Sequence, residues 1–185
     1  MIYLIGVDHK LQDGHSQPNS DNFIQYVRIF IESHKIELLS EEWSTEITNN
    51  RGESKLRIFE NITNYYQFDL SKSEQLEIGV KSPGEIINEL GGSISPLGFN
   101  ANFDQIKYEQ RSREEARKRE PGWLKKLQPH LVDNPEVLLI CGSSHLSCCN
   151  PDGMFGFDQL LKKEGFNIEI LACFFCKKEG KWGHE

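Results

Sequence analysis

The stretch Glu136–His145, EVLLICGSSH, decides how the rest of the chain is read. Val137, Leu138, Leu139 and Ile140 form a continuous apolar run. The run is too short for a globular helix, and its lack of polar alternation is the pattern of a strand covered on both faces. Gly142 then breaks it, Ser143 and Ser144 are turn formers, and His145 arrives at the carboxyl end of the strand, where open α/β sheets place their ligands. The chain opens in the same way. MIYLIGVDH has Ile2 to Ile5 as its apolar run, Gly6 as the break and His9 three residues on. Two buried strands, each followed by Gly-x-x-His, are expected to bring two imidazoles to one rim.

Between these units the pattern alternates. KLQDGHSQPNSDN, after His9, has the Gly, Pro, Asn and Asp content of a loop that can cover a site, and it contains His15. Ser20 or Asp21 can cap a helix in which Phe23, Val27, Phe30 and Ile31 recur at helical spacing, through about His34. Ile36, Leu38 and Leu39 give a second strand ending at Ser40, Glu41 and Glu42, and strand, helix, strand in that order predicts a parallel pair. A short helix with Leu56, Ile58 and Phe59 comes next, and then a third strand, YYQFDL, ending near Asp69. SPGEIINELGG carries a helix start and stop: Ser82 as N-cap, Pro83 as the first helical residue, Glu85 as the reciprocal cap and Gly91 as the break. SISPLGFNANFD is loop-like.

KYEQRSREEARKRE favours helix as far as Arg119, and Pro121 suits the first turn of a new helix holding Trp123, Leu124 and Leu127. A helix from Gly153 to Lys163 and a last strand, FNIEILACFF, complete the chain. These elements predict one α/β domain over residues 1–176, with a mainly parallel central sheet and helices on both faces, and a peripheral tail at 177–185.

Charge and composition narrow the function. The net charge of −7 argues against nonspecific nucleic-acid binding. The sum hides a reversal, because residues 1–106 carry 8 basic and 16 acidic side chains and residues 107–126 carry 8 and 4. Interleaved charges of that kind read first as a solvated helix face, and only second as an anion-binding patch. No apolar run approaches the roughly 20 residues of a membrane helix, and the first strand begins without a basic leader, so the expected compartment is the cytoplasm.

Chemistry concentrates at the strand ends. His9, His145 and a carboxylate from Glu41 or Glu42 are a ligand set for zinc, manganese, iron or cobalt, with room for a water that the metal would acidify. Without a metal the same groups can serve as general base and orienting acid toward a water. Asp8 reads as a turn cap or as a partner orienting an imidazole. Arg119 can bind a carboxylate or phosphate or steady an oxyanion, or it can be one more surface arginine. The five cysteines, Cys141, Cys148, Cys149, Cys173 and Cys176, lie in the last quarter of the chain. Cys148, Cys149 and the Cys-x-x-Cys pair Cys173 and Cys176 can make a structural zinc site, or they can be buried thiols.

The set YLIGVDH, IELLSEEWS, YYQFDL, REPGWLKKL and VLLICGSSH resembles the TraB, PrgY, ChaN-like and erythromycin-esterase-like superfamily over roughly Ile2 to Leu171. There a first Gly-x-x-His, a glutamate ending the second strand, an arginine four residues before a Met or Trp, and a late Gly-x-x-His line one cleft. The resemblance implies matching roles for His9, Glu41 or Glu42, Arg119 with Trp123, and His145. The metal ligands it suggests are His9, Glu41 and His145. Members include metal-dependent peptidases, esterases using a histidine-activated water, and a haem-binding lipoprotein. The expectation is therefore a hydrolase acting on a small molecule or peptide. The alternatives are a noncatalytic module for haem, metal or an anion, and a scaffold held by zinc at the cysteines.

Overall fold

The computed structural model describes residues 1–15, 19–95, 98–100, 104–149 and 156–173, with backbone only at residues 45, 93–95 and 98–100. Its centre is a five-stranded parallel sheet in the order β3-β2-β6-β1-β7. The strands are β1 (Ile2–Val7), β2 (Leu38–Glu41), β3 (Asn64–Gln67), β6 (Val137–Gly142) and β7 (Ile168–Cys173). β6, the apolar run of EVLLICGSSH, is fully buried and lies in the middle.

The period of two in a strand explains the layers. Val137, Leu139 and Cys141 point into one core with Trp123, Leu127 and Leu131 of α7 (Glu120–Asp133) and Phe157 and Leu161 of α8 (Phe157–Lys163). Leu138 and Ile140 point into a second core with Phe23, Val27, Phe30 and Ile31 of α2 (Asn19–His34) and Leu56 and Phe59 of the 3-10 helix Lys55–Asn61. Each face of the sheet is thus closed by helices, and the predicted α/β architecture holds. At roughly 25 cal/mol per Å² of apolar surface, two cores of this kind are the main stabilising contribution.

Several local expectations are revised. β1 and β2 run parallel but do not pair, because β6 lies between them and bonds to both. The first part of the predicted loop is a one-turn helix, α1 (His9–Gln12), started by Asp8, whose carboxylate accepts from the Lys10 N–H. Leu11 and Gln12 are buried, so this part packs into the protein instead of covering it. α2 begins at Asn19, which leaves Ser20 and Asp21 inside it instead of capping it. The loop-like SISPLGFN contains a two-stranded antiparallel hairpin, β4 (Ser93–Ser95) with β5 (Gly98–Asn100). α3 (Thr45–Arg51) and α4 (Lys72–Glu77) are short additions. α5 (Pro83–Glu89) has the predicted capping box of Ser82 and Glu85. α6 (Gln105–Arg117) is the basic stretch, and its charges are largely matched along their own helix, Arg111 with Glu114 and Glu115, Lys118 with Glu115. Among the described residues no helix is long and apolar enough to cross a membrane. Residues 177–185, the predicted tail, lie outside the described residues.

Candidate functional site

The register brings the strand ends level. Val7 pairs with Gly142 and Glu41 with Ile140, and the Glu42 N–H donates to the Ile140 carbonyl at 2.8 Å. The segments leaving the three strands therefore meet at one rim: His9 after β1, Glu42 after β2, His145 after β6. Glu42 is the hub. Its Oε1 lies 3.7 Å from Nε2 of His9 and 3.7 Å from Nε2 of His145, and its Oε2 accepts the Gly142 N–H at 2.7 Å.

The two glycines of the Gly-x-x-His units are there for space. A Cβ on Gly142 would stand 3.3 Å from Oε2 of Glu42, and 3.5 Å from both His145 Cδ2 and His9 Nε2. A Cβ on Gly6 would meet Leu146 Cδ1 at 2.7 Å and the Ser143 Cα at 3.1 Å. Gly6 thus lets the turn after β6 fold down over β1, and Gly142 leaves room for the Glu42 carboxylate against its backbone, a Cβ there being tight only to Oε2 and in ordinary contact with the two rings.

Arg119 enters from the N-terminus of α7, where the Pro121 start was expected. Its Nη2 donates to Glu42 Oε1 at 3.0 Å and to His145 Nε2 at 3.2 Å. Nη1 reaches both oxygens of Asp69 at 3.0 and 3.1 Å, and Nε reaches the Ala116 carbonyl at 3.3 Å. Every nitrogen of the guanidinium already faces a protein acceptor, and its central carbon lies 5.0 Å from the centre of the Trp123 ring, whose indole N–H donates to Asp69 at 2.8 Å.

Because a guanidinium only donates, His145 Nε2 is an acceptor and its Nδ1–H donates to Glu120 Oε1 at 2.9 Å. His9 has the same tautomer by a different route. Gln12 Nε2 donates to Glu41 at 2.6 Å, which turns the amide oxygen toward His9 Nδ1 at 2.8 Å. His9 Nε2 makes no hydrogen bond among the described residues and looks toward Glu42.

The two adjacent glutamates divide their work. Glu41 points away from the rim and accepts from Gln12, from Ser54 at 2.8 Å and from the Tyr65 hydroxyl. It stands behind His9, so it does not meet His145 in the ligand set that the sequence suggested. Burial pushes the Glu41, Asp69 and Glu120 carboxyls up, against the donors that each one has. Burial opposes charge on Glu42 too, but in acid the His145 imidazolium, the Arg119 guanidinium and the His9 imidazolium, with the Gly142 N–H, outweigh it and hold that carboxyl down at about 2. Glu42 is thus the one acid of the cluster whose charge the surroundings favour, and Arg119 is its fixed counter-ion.

Of the residues named from sequence, His9, Glu42, Arg119 and His145 come together, and Glu41 backs one of them. Gln12, Asp69 and Glu120 were missed. Gln12 had a signal, since Asp8 as a cap would have placed His9 and Gln12 three apart on a single helical turn. Asp69 and Glu120 carried none beyond adjacency to a strand end and to Arg119.

As a divalent metal centre the rim fits poorly. Arg119 occupies His145 Nε2, and among the described residues the only three ligand atoms all within 4.8 Å of one another are the sulfurs of Cys148, Cys149 and Cys173. That thiol cluster could hold a metal. Cys148 and Cys149 lie on the 3-10 turn Ser147–Cys149 and Cys173 ends β7, with 2.6 Å between Sγ of Cys149 and Sγ of Cys173. Cys176 lies outside the described residues. Cys141 is apart from the cluster, buried in β6, where burial pushes its thiol up.

A small polar hollow lies on the Asp69 side of the rim. About 160 Å³ in volume, it is lined by Trp43, Gln67, Asp69 and Lys126 among others, and Trp43 also stands edge-on to His9 with ring centres 6.2 Å apart. Among models of known protein families, curated proteins and solved structures, none matches this chain.

Proposed function

We propose that the protein is a hydrolase in which His9 activates a water against the carbonyl of a small polar ester or amide. The observation that carries this reading is the state of the His9 ring. Its Nδ1–H is anchored through Gln12 to Glu41, while Nε2 is uncommitted and the side chain is 28% exposed, the most accessible group of the site. A base needs one bare nitrogen and a fixed partner on the other, and the bare Nε2 and the anchored Nδ1 of this ring support that role.

On this reading His9 Nε2 takes a proton from water as the oxygen attacks the carbonyl carbon. The imidazolium formed lies 3.7 Å from the Glu42 carboxylate. The proton then passes to the leaving alcohol or amine as the carbon–heteroatom bond breaks. Arg119 acts as a positioning residue: its donors hold Glu42, Asp69 and His145 and leave none for an oxyanion. The hollow beside Trp43 and Asp69 suits a small polar group of the substrate. The metal-dependent form of this chemistry is less well supported, because it would require Arg119 to leave His145.

The test is a screen of short-chain esters and small peptides with the wild-type chain, followed by His9→Ala on the best substrate. Turnover is expected to fall by about 100- to 10,000-fold, the usual worth of a positioned base. Turnover that survives His9→Ala rules out this assignment, and binding of a ligand with no turnover by the wild type would favour a noncatalytic module.

A further inference from the structure

The thiol cluster lies next to the catalytic rim along the chain, and the connection is short and stiff. His145 is followed by Leu146 and then by the turn Ser147–Cys149. Leu146 is fully buried, and its carbonyl accepts the Cys149 N–H at 3.0 Å. The Ser147 N–H and hydroxyl both donate to Asp158, at 2.7 and 2.6 Å. Gly156 packs so closely that a Cβ there would be 2.4 Å from the Ser147 nitrogen and 2.8 Å from the His145 carbonyl oxygen. No slack therefore separates the His145 ring from the thiols of the turn.

The third sulfur comes from across the sheet. Cys173 pairs in register with Gly6 on β1, three residues before His9. The three sulfurs therefore tie the segment after His145 to the strand beside the one that delivers His9. A disulfide uses two sulfurs, whereas here three from two separate segments converge within 4.8 Å. Three thiolates are a soft ligand set, of the kind that selects zinc over magnesium or calcium.

We propose that Cys148, Cys149 and Cys173 bind one zinc ion and that the loaded cluster fixes His145 against Glu42, Arg119 and Glu120. Each thiol that ligates gives its proton to solvent, and nothing is oxidised or reduced. Two thiolates on a tetrahedral zinc stand roughly 3.8 Å apart, as the usual 2.3 Å zinc–sulfur bond requires. Three sulfurs within 4.8 Å of one another are close enough to reach that spacing by small side-chain rotations. The zinc site stands independently of the hydrolase reading; only its consequence for turnover rests on that reading.

The experiment uses the full chain purified under reducing conditions without chelator. Elemental analysis is expected to find one zinc per chain, lost at least tenfold in Cys148→Ala and in Cys173→Ala and kept in His9→Ala and Cys141→Ala. Because a cysteine variant can misfold, the wild-type chain is also stripped with a strong chelator and titrated with zinc chloride while imidazole resonances are followed by NMR. The His145 ring signals are expected to move on loading, and those of exposed His15 to stay in place.

Zinc that leaves with His9→Ala but stays in Cys173→Ala overturns the site. So does a reduced chain that takes up no zinc, or one whose mass shows a Cys149–Cys173 disulfide in its place. Zinc uptake with unmoved His145 signals overturns the link to the rim. If no ester or peptide is turned over, the hydrolase reading fails by itself, since neither metal content nor the His145 signal depends on turnover.

Discussion

The two Gly-x-x-His units begin alike in sequence and end in different surroundings. His9 keeps 28% of its side chain exposed, and only an amide holds it, with a buried carboxylate behind. His145 is 3% exposed and fixed at both nitrogens, by Glu120 on one side and Arg119 on the other. Both rings look at the same oxygen of Glu42 from 3.7 Å. The contrast separates two tasks that a motif cannot distinguish. One histidine keeps a partly exposed ring with an uncommitted nitrogen, and the other belongs to the framework around Glu42.

The strongest way to break this contrast is Arg119→Ala. It leaves Glu42 and Asp69 buried without their counter-ion and should cost about 3–5 kcal/mol in urea unfolding. A variant as stable as wild type, with only turnover reduced, would show that the His145 side is not structural.

Glu42→Gln comes next and reads out as pH dependence. A carboxyl held near 2 in the folded chain, against an ordinary 4.5, stabilises the fold above about pH 4.5 and loses that contribution as pH falls toward 2. The difference is worth about 3 kcal/mol. Chemical denaturation between pH 6 and 2, at intervals of about one unit, should show an acid limb in the wild type that is shallower in the variant.

Gly142→Ala sharpens the claim that both rings share one space. Its methyl would crowd Glu42 Oε2 at 3.3 Å while only touching both histidines at 3.5 Å, so a loss of about 1 kcal/mol of stability is expected together with reduced turnover. The smallest effect is expected from Asp8→Ala, which removes the cap of the turn carrying His9 and Gln12. A loss of about 1 kcal/mol, with unchanged His145 resonances, would confirm that the two halves are held separately.

Much of this arrangement was legible in the residues. Val137 to Ile140 announced a strand covered on both faces, and the two Gly-x-x-His units announced a shared rim. Ser82, Pro83 and Glu85 gave a helix start that the structure repeats. The choice between Glu41 and Glu42 was not legible, because a period of two says that neighbours face opposite ways without saying which way is in. Nor was strand order, which depends on β6 inserting between β1 and β2 from about a hundred residues away. Gln12 escaped notice because Gly14, Pro18 and the asparagines around them gave the whole stretch a loop composition, which a single capped turn does not alter. Arg119 looked like part of a basic run. What distinguishes it is where α7 begins, and that placement is a property of packing.

β1 has a consequence for how the molecule is made. Its two neighbours are β6 and β7, so Ile2 pairs with Val137 and with Ile168. During synthesis β1 thus has nothing to pair with until the chain has been extended by about 130 residues beyond it. In the meantime His9 travels on an apolar segment without a seat, and a nascent or truncated chain that stops short of residue 137 would have no rim at all. The rim is thus complete only when two distant strands have closed on either side of β1.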